Sequence, residues 1–456
     1  MESGKSPKNV VFIYTDQMHK FALHAMGTDD IITPNLDQLA KEGTLFENAY
    51  SNCPICTPFR INLCTGLYAS QTKAFRNNYP IPKRCTTLAD VFNNAGYHTS
   101  FVGKWHVGKS GNRPIPKSLR GGFRDFIGYQ CYNGFYKDVH FYDEDNEVHV
   151  FNRHRTDVTT DIALERLEGY NQRGIGETTP LLMVIGYQAP HYPVQPSPKY
   201  EQMYKGKTIK RRKNVQEIDP YTKTGSPRSP RPKELCADFQ RYGNDLNEYL
   251  RLYYALCTQI DANVGRIIAK LKALGMYENT LIVFTSDHGD MQGSHGLRNK
   301  TLPYEESSGI PLIIRTPDGK PGTRITTPVT TIDYFPTLLD YARIDPPADL
   351  KLPGKSILPA CTEGKLENHI PAFSEMTKWR LIRDGPYKLV VEGETQTPTK
   401  FFHLENDPYE LTNMVNEEAQ QPKIKELRAK IVEWQRDCQE HEQSYNLLER
   451  LKLLFR

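Results

Sequence analysis

The chain has 456 residues, of which 38% are hydrophobic and 25% charged, with a formal net charge of +4. That length supports one large hydrophobic core plus a smaller unit, and the composition excludes global disorder. So small a charge excess leaves no footprint for nucleic acid, and no run of about 18 apolar residues is present to form a transmembrane helix.

Residues 1–9 are polar and lack the apolar stretch of a secretory signal. The expected compartment is cytoplasmic, or periplasmic or secreted if a leader has been removed. Val10-Val11-Phe12-Ile13-Tyr14 then reads as a strand buried on both faces, ending in Thr15-Asp16-Gln17. Three later runs repeat this pattern. Thr99-Ser100-Phe101-Val102 enters Gly103-Lys104-Trp105-His106, and Leu181-Leu182-Met183-Val184-Ile185 leads through a short loop to His191. Leu281-Ile282-Val283-Phe284-Thr285 enters Ser286-Asp287-His288-Gly289-Asp290. Segments 35–41, 87–95 and 245–274 are expected to be helices. In the third, Leu246, Leu250, Tyr253, Leu256, Ile260, Val264, Ile267 and Leu271 share one face, and Gly275 follows its end. Ligands of doubly wound α/β sheets sit beyond the carboxyl ends of the strands. The polar tips of four distant segments are therefore expected along one sheet edge.

Residues 205–233 carry Lys205, Lys207, Lys210, Arg211, Arg212, Lys213, Lys223, Arg228, Arg231 and Lys233 against only Glu217 and Asp219. They read as a long basic loop, either solvated or forming a rim that attracts an anion. From about residue 355 the pattern changes. Asp384-Gly385-Pro386 separates two β-like runs, Phe401-Phe402-His403-Leu404 reads as a further strand, and Ile424, Leu427, Ile431 and Trp434 mark an amphipathic helix. The expected division is a catalytic α/β domain over 1–355 and an antiparallel sheet with a helix over 356–456.

The nine cysteines are odd in number and lack zinc-ligand spacing. Cys53 and Cys56 form a C-x-x-C pair, but the continuation Cys56-Thr57-Pro58-Phe59-Arg60 points elsewhere. Cys-x-Pro-x-Arg is the sequence read by formylglycine-generating enzymes. Together with the flank Ile61-Asn62-Leu63-Cys64-Thr65-Gly66, it resembles the nucleophile motif of the type I sulfatases, in the alkaline phosphatase superfamily. Gly103-Lys104-Trp105-His106 is similar to a segment of carbohydrate sulfatases, and the run from Phe402 to Leu411 resembles the sulfatase C-terminal subdomain. The resemblance implies an alkaline-phosphatase-like α/β fold: a large mixed, mostly parallel sheet sandwiched by helices, plus a smaller C-terminal α+β subdomain.

It further implies that Cys56 is converted to formylglycine (3-oxoalanine), whose hydrated diol is the nucleophile. A divalent cation, Ca²⁺ or alternatively Mn²⁺, is then held by Asp16, Gln17, Asp287, His288 and position 56. Paired carboxylates at strand ends repel unless a cation joins them, and oxygen ligands suit a hard ion. Many sulfatases carry Asp and Asn where this chain has Gln17 and His288. That exchange removes a negative charge, adds a nitrogen ligand and makes Mn²⁺ more competitive. By the same resemblance Arg60 bonds the diol and the carboxylates, and Lys104 and Lys300 stabilise the sulfuryl oxygens. His106 takes the proton that releases sulfate, and His191 protonates the leaving alcohol. Asn77 or Asn78 stands where relatives carry a substrate-binding residue, Asn78 being the one assigned here. The expected substrate is a sulfated carbohydrate. Phosphonate monoester hydrolases share the Asp-Gln and Asp-His pairs but tend to carry Tyr and Thr at the positions of Lys104 and His106. A catalytically silent sulfoglycan-binding protein is a third reading, distinguished by binding without sulfate release.

Overall fold

The computed structural model describes residues 8–109, 111–132, 134–216, 245–366 and 371–454, with side chains as far as residue 440. A ten-stranded sheet organises the larger part. Its order is Thr323–Ile325, Thr44–Phe46, Leu312–Arg315, Thr280–Ser286, Asn9–Asp16, Leu181–Pro190, His98–Lys104, Asp125–Tyr129, Val139–Tyr142 and Val148–Phe151. The five central strands from Thr280–Ser286 to Asp125–Tyr129 run parallel, and antiparallel strands flank them on both sides. The four strands expected from sequence are thus adjacent, and they end at one edge.

Alternation along these strands builds a three-layer core. In Asn9–Asp16, Val11 and Ile13 face one apolar cluster with Met183, Ile185, Ile282 and Phe284. Val10, Phe12 and Tyr14 face the other, with Leu182, Val184, Leu281 and Val283. The first layer is closed by helices Leu246–Ala273 and Arg155–Gln172. Leu246–Ala273 buries the face anticipated for it, and its N-terminus is capped by Asp245, whose side chain accepts from the Glu248 amide. The second layer contains helix Cys56–Thr65, all ten residues of which are buried.

From Ala372 the chain forms a separate antiparallel sheet, ordered Ala372–Met376, Trp379–Asp384, Tyr387–Glu392 and Pro398–His403. Ile424, Leu427, Ile431 and Trp434 of helix Gln421–Leu454 cover it, packed on Phe373, Ile382, Leu389, Val391 and Phe401. This sheet is bonded to the segment just before Cys56. The Glu375 amide donates to Asn52 O (2.7 Å), Asn52 Nδ2 to Phe373 O (2.7 Å), and Ser374 Oγ to Ser51 O (2.7 Å). Of the expected basic loop, residues 217–233 lie outside those described. Arg212 does not form a free rim: it pairs with Glu306 at 3.0 Å and lies over the Phe21 ring.

Asp261 ties helix Pro34–Glu42 to the long helix, accepting from the Leu36 amide and Asn35 Nδ2, each at 2.7 Å. Burial pushes its carboxyl up to about 6, above the free value of 3.8. A carboxyl raised in the folded state contributes stability below its unfolded value and loses it as pH rises through the folded one. The stability advantage of the native chain over Asp261→Asn should therefore shrink between about pH 4 and pH 6, by roughly 1–3 kcal/mol. Denaturant unfolding at several pH values measures it. A difference independent of pH would contradict the assignment.

Candidate active site

Strand register brings the acidic groups together. Thr15 pairs with Ser286, so Asp16 and Asp287 emerge side by side from neighbouring parallel strands. Lys104 ends the strand beyond Leu181–Pro190, and Gly103 before it permits a close approach. A Cβ on Gly103, whose φ is +111°, would lie 2.1 Å from the Gly186 carbonyl. Cys56 begins its helix, and Arg60 follows one turn later on the same face.

The side chains converge. Cys56 Sγ lies 3.6 Å from Asp16 Oδ1 and 3.3 Å from His288 Nε2. His288 Nε2 is also 3.7 Å from Asp16 Oδ1 and 3.4 Å from Asp287 Oδ1. Arg60 Nη2 divides between Asp16 Oδ2 (2.9 Å) and Asp287 Oδ2 (3.2 Å), while Nη1 donates to Tyr14 Oη and Lys104 O, both at 2.6 Å. Lys104 Nζ is 2.5 Å from Asp16 Oδ2. Lys300 Nζ donates to Gln17 Oε1 at 2.6 Å. Gln17 in turn donates its amide to Asp287 Oδ1 (3.0 Å) and Nε2 to Asp290 Oδ2 (3.1 Å). His191 is buried, with Nδ1 donating to Tyr192 O at 2.7 Å. His106 is buried, its Nδ1 meets no hydrogen-bond partner among the described residues, and its carbonyl accepts from Thr57 Oγ1 at 2.6 Å.

Burial and mutual charge set the protonation states. Burial and the neighbouring Asp16 push Asp287 up to about 7. Burial also raises Asp16, but Lys104, His191 and Arg60 outweigh it and hold that carboxyl well below the usual range. Cys56 is pushed up to about 12 by burial and Asp16, so the encoded thiol is protonated and a poor nucleophile. His106, His191 and His288 all fall well below 6.5, first through burial and then through Lys104 or Lys300. All three imidazoles are therefore neutral near pH 7.

These groups fit a cation. Asp16, Cys56, Asp287 and His288 each offer a ligand atom, all within 4.8 Å of one another. His288 Nδ1 donates to Gly289 O at 2.9 Å, which leaves the Nε2 lone pair facing the carboxylates, as metal-ligating histidines require. Burial and the adjacent Asp16 raise Asp287 despite Arg60, Lys104 and Lys300, so further positive charge at this carboxyl is favoured.

All the sequence-derived positions except Asn78 meet here. The Asn78 side chain is exposed; its amide donates to Thr57 Oγ1, while Asn77 Oδ1 accepts from the Thr57 amide and caps the Cys56 helix. Sequence reasoning missed two groups. Tyr14 donates to Lys104 O (3.0 Å) and carries Arg60, and Asp290, bonded also by Tyr249 Oη, orients Gln17. Asp290 stood in the strand-end motif; nothing local marked Tyr14.

The sulfatase family model matches residues 8–344, and the model described as N-sulphoglucosamine sulphohydrolase, C-terminal, matches residues 293–437. An ulvan-active sulfatase of Formosa agariphila is 31% identical over 438 residues, covering 93% of this chain and 80% of that protein. The chain belongs to the sulfatase family and is a sulfuric ester hydrolase by class. Among solved structures, one in complex with D-glucosamine-2-N,6-O-disulfate superposes with a TM-score of 0.81 at 23% identity, covering 96% of this chain and 99% of that one. A phosphonate monoester hydrolase from Silicibacter pomeroyi superposes at 0.78 and 22% identity, covering 94% and 95%. At these identities the structures establish the shared alkaline-phosphatase-type fold.

Removing Arg60 leaves two buried carboxylates short of their shared partner. Arg60→Leu is expected to cost about 3–5 kcal/mol, read from denaturant unfolding. A loss below about 1 kcal/mol would show that the carboxylates do not depend on it.

Proposed function

We propose that this enzyme releases inorganic sulfate from a sulfated carbohydrate, using a formylglycine hydrate derived from Cys56. The observation carrying this reading is the convergence of position 56 with Asp16, Asp287 and His288 in one buried cluster. The thiol at 56, neutral and enclosed, is unsuited to attack, whereas a geminal diol there would face the same groups. The glycan preference rests on the ulvan-active relative and the disulfated glucosamine complex.

The residue roles are those the family resemblance implies, and the side-chain surroundings support them. A hydrated formylglycine at position 56 would supply a hydroxyl nucleophile toward sulfur, with the ester oxygen leaving as the alcohol. Lys104 and Lys300 flank the nucleophile and offset sulfuryl charge. His191 is the donor to the leaving alcohol. Neutral when the site is empty, it must first take up a proton, which an anionic ester beside Lys300 would favour. Neutral His106 is suited to accept a hydroxyl proton at position 56, the proton whose loss would release sulfate. Arg60 fixes Asp16 and Asp287 throughout, and Asn78 is retained as a substrate contact at the exposed rim. A divalent cation, Ca²⁺ or Mn²⁺, held by Asp16, Asp287, His288, Gln17 and position 56 would supply Lewis-acid neutralisation of the ester. Conversion requires a formylglycine-generating enzyme as maturation partner.

The second reading, a phosphonate or phosphate diesterase, is favoured by Gln17, His288 and the Silicibacter pomeroyi neighbour, and opposed by Lys104 and His106. Rates on aryl sulfate and aryl phosphonate esters separate them: sulfate should be preferred, and a preference for phosphonate would overturn the assignment. Cys56→Ala should fold normally and lose turnover. Mass spectrometry of active protein should show position 56 lighter than cysteine, and full activity with an unmodified thiol would rule out the mechanism. His191→Ala should slow sugar sulfates by about 10²–10⁴-fold but activated aryl sulfates far less, because only poor leaving groups need a proton. Equal losses on both would remove the acid role.

A further inference from the structure

We infer that Trp379, on the C-terminal sheet, is a positioning residue: through the carbonyl of Thr301 it sets where Lys300 stands in the active site. The inference rests on the role proposed above for Lys300. Lys300 lies on the loop between strand Thr280–Ser286 and helix Glu305–Ser308, so neither a ladder nor a helical turn holds it. Its Nζ donates to Gln17 Oε1 at 2.6 Å, but one neutral acceptor does not fix the flexible stem of a lysine. The main chain on either side does. Before Lys300, the Asn299 carbonyl accepts from the Met291 amide at 2.8 Å and closes the loop on itself. After it, the Thr301 amide donates to Pro54 O at 3.2 Å, and the Thr301 carbonyl accepts from Trp379 Nε1 at 3.0 Å. Thr301 thus joins the segment leading into Cys56 to the C-terminal sheet, and Lys300 sits between the anchors.

Backbone strain shows that these anchors act against a local preference. Asn299 has φ +61° and Thr301 φ +73°. Asparagine enters the left-handed region readily, but a β-branched threonine does so at a cost, and such a conformation persists only where its surroundings impose it. Relaxation of Thr301 to negative φ would turn Lys300 relative to Pro54 and Trp379 and carry its side chain away from Gln17. Trp379 is suited to prevent this. It is only 8% exposed, and its ring is fixed by packing with Met376, Leu381 and Val390. The indole N–H can only donate, so it holds a carbonyl in one direction. Trp379 pairs with Met376 across the turn at Thr377 and Lys378, and Met376 Sδ lies 3.5 Å from Cys53 Sγ. One end of the hairpin therefore meets both the approach to Cys56 and the Lys300 loop.

Trp379→Phe keeps the packed ring and removes the donor. Its kcat/KM on a sulfate ester is expected to fall about 5–20-fold, the effect of one lost hydrogen bond. In a Lys300→Ala background the same change should cost less than about twofold. Equal losses in the two backgrounds would overturn the inference, because general damage to the hairpin acts whether or not Lys300 is present. A crystal structure of Trp379→Phe reads the placement without turnover: Lys300 Nζ should leave Gln17, and a Lys300 still bonded there as in the native chain would contradict the inference. Full turnover in Lys300→Ala would remove the role proposed for Lys300, and the same crystal structure would then decide alone what positions it. Should Trp379→Phe not fold, Thr301→Asn in the native chain decides. Asparagine accepts the left-handed backbone more readily, so the thermal midpoint should rise; a lower midpoint would contradict strain imposed at Thr301.

Discussion

Two carboxylates forced side by side in the protein interior govern this molecule. Parallel pairing of Asn9–Asp16 with Thr280–Ser286 leaves Asp16 and Asp287 no freedom to separate, and neither side chain touches solvent. At short range in a low-dielectric setting, two negative charges must be shared with cations or a proton. The fold answers with Arg60, whose Nη2 donates to both, and Lys104, held against Asp16. The spacing in Cys56-Thr57-Pro58-Phe59-Arg60 acquires its meaning from this: one helical turn presents Cys56 and Arg60 to the same pair of acids.

The same field renders the encoded side chains quiescent. The Cys56 thiol is pushed up to about 12 and the three histidines are held neutral, so none of these groups carries charge near pH 7. Stiffness comes from what lies behind. Tyr14 and the close approach of Gly103 to Gly186 lock the Lys104 backbone, Asp290 aims the Gln17 amide, and the C-terminal sheet grips Ser51 and Asn52 immediately before the motif. The second sheet is therefore part of the scaffold that fixes the segment leading into Cys56.

Legibility in the sequence followed the strength of the local signal. The four central strands are apolar on both faces and each ends in polar groups, so their kind, their shared edge and most of the site were readable at Asp16, Lys104, His191 and Asp287. Helix Leu246–Ala273 declared itself through a long periodic face. Short flanking strands such as Val139–Tyr142 and Val148–Phe151 did not, because four residues at a sheet edge carry little pattern. Relations between distant segments were also hidden. Lys300 bonding Gln17, Arg212 turning inward to Glu306, and Tyr14 supporting Arg60 are products of tertiary packing with no local signature. Asn78 rests on its distance from the motif alone: its side chain is exposed, its amide donates to Thr57, and Asn77 accepts from the Thr57 amide.

The central claim is that Asp16, Asp287 and His288 form a cation site around position 56. Calorimetric titration of Ca²⁺, and separately Mn²⁺, into chelator-treated protein tests it most directly. One equivalent should bind and raise the thermal midpoint, and the heat should vanish in Asp287→Asn while persisting in Asn78→Ala. No binding at millimolar ion, or equal binding in Asp287→Asn, would contradict the account.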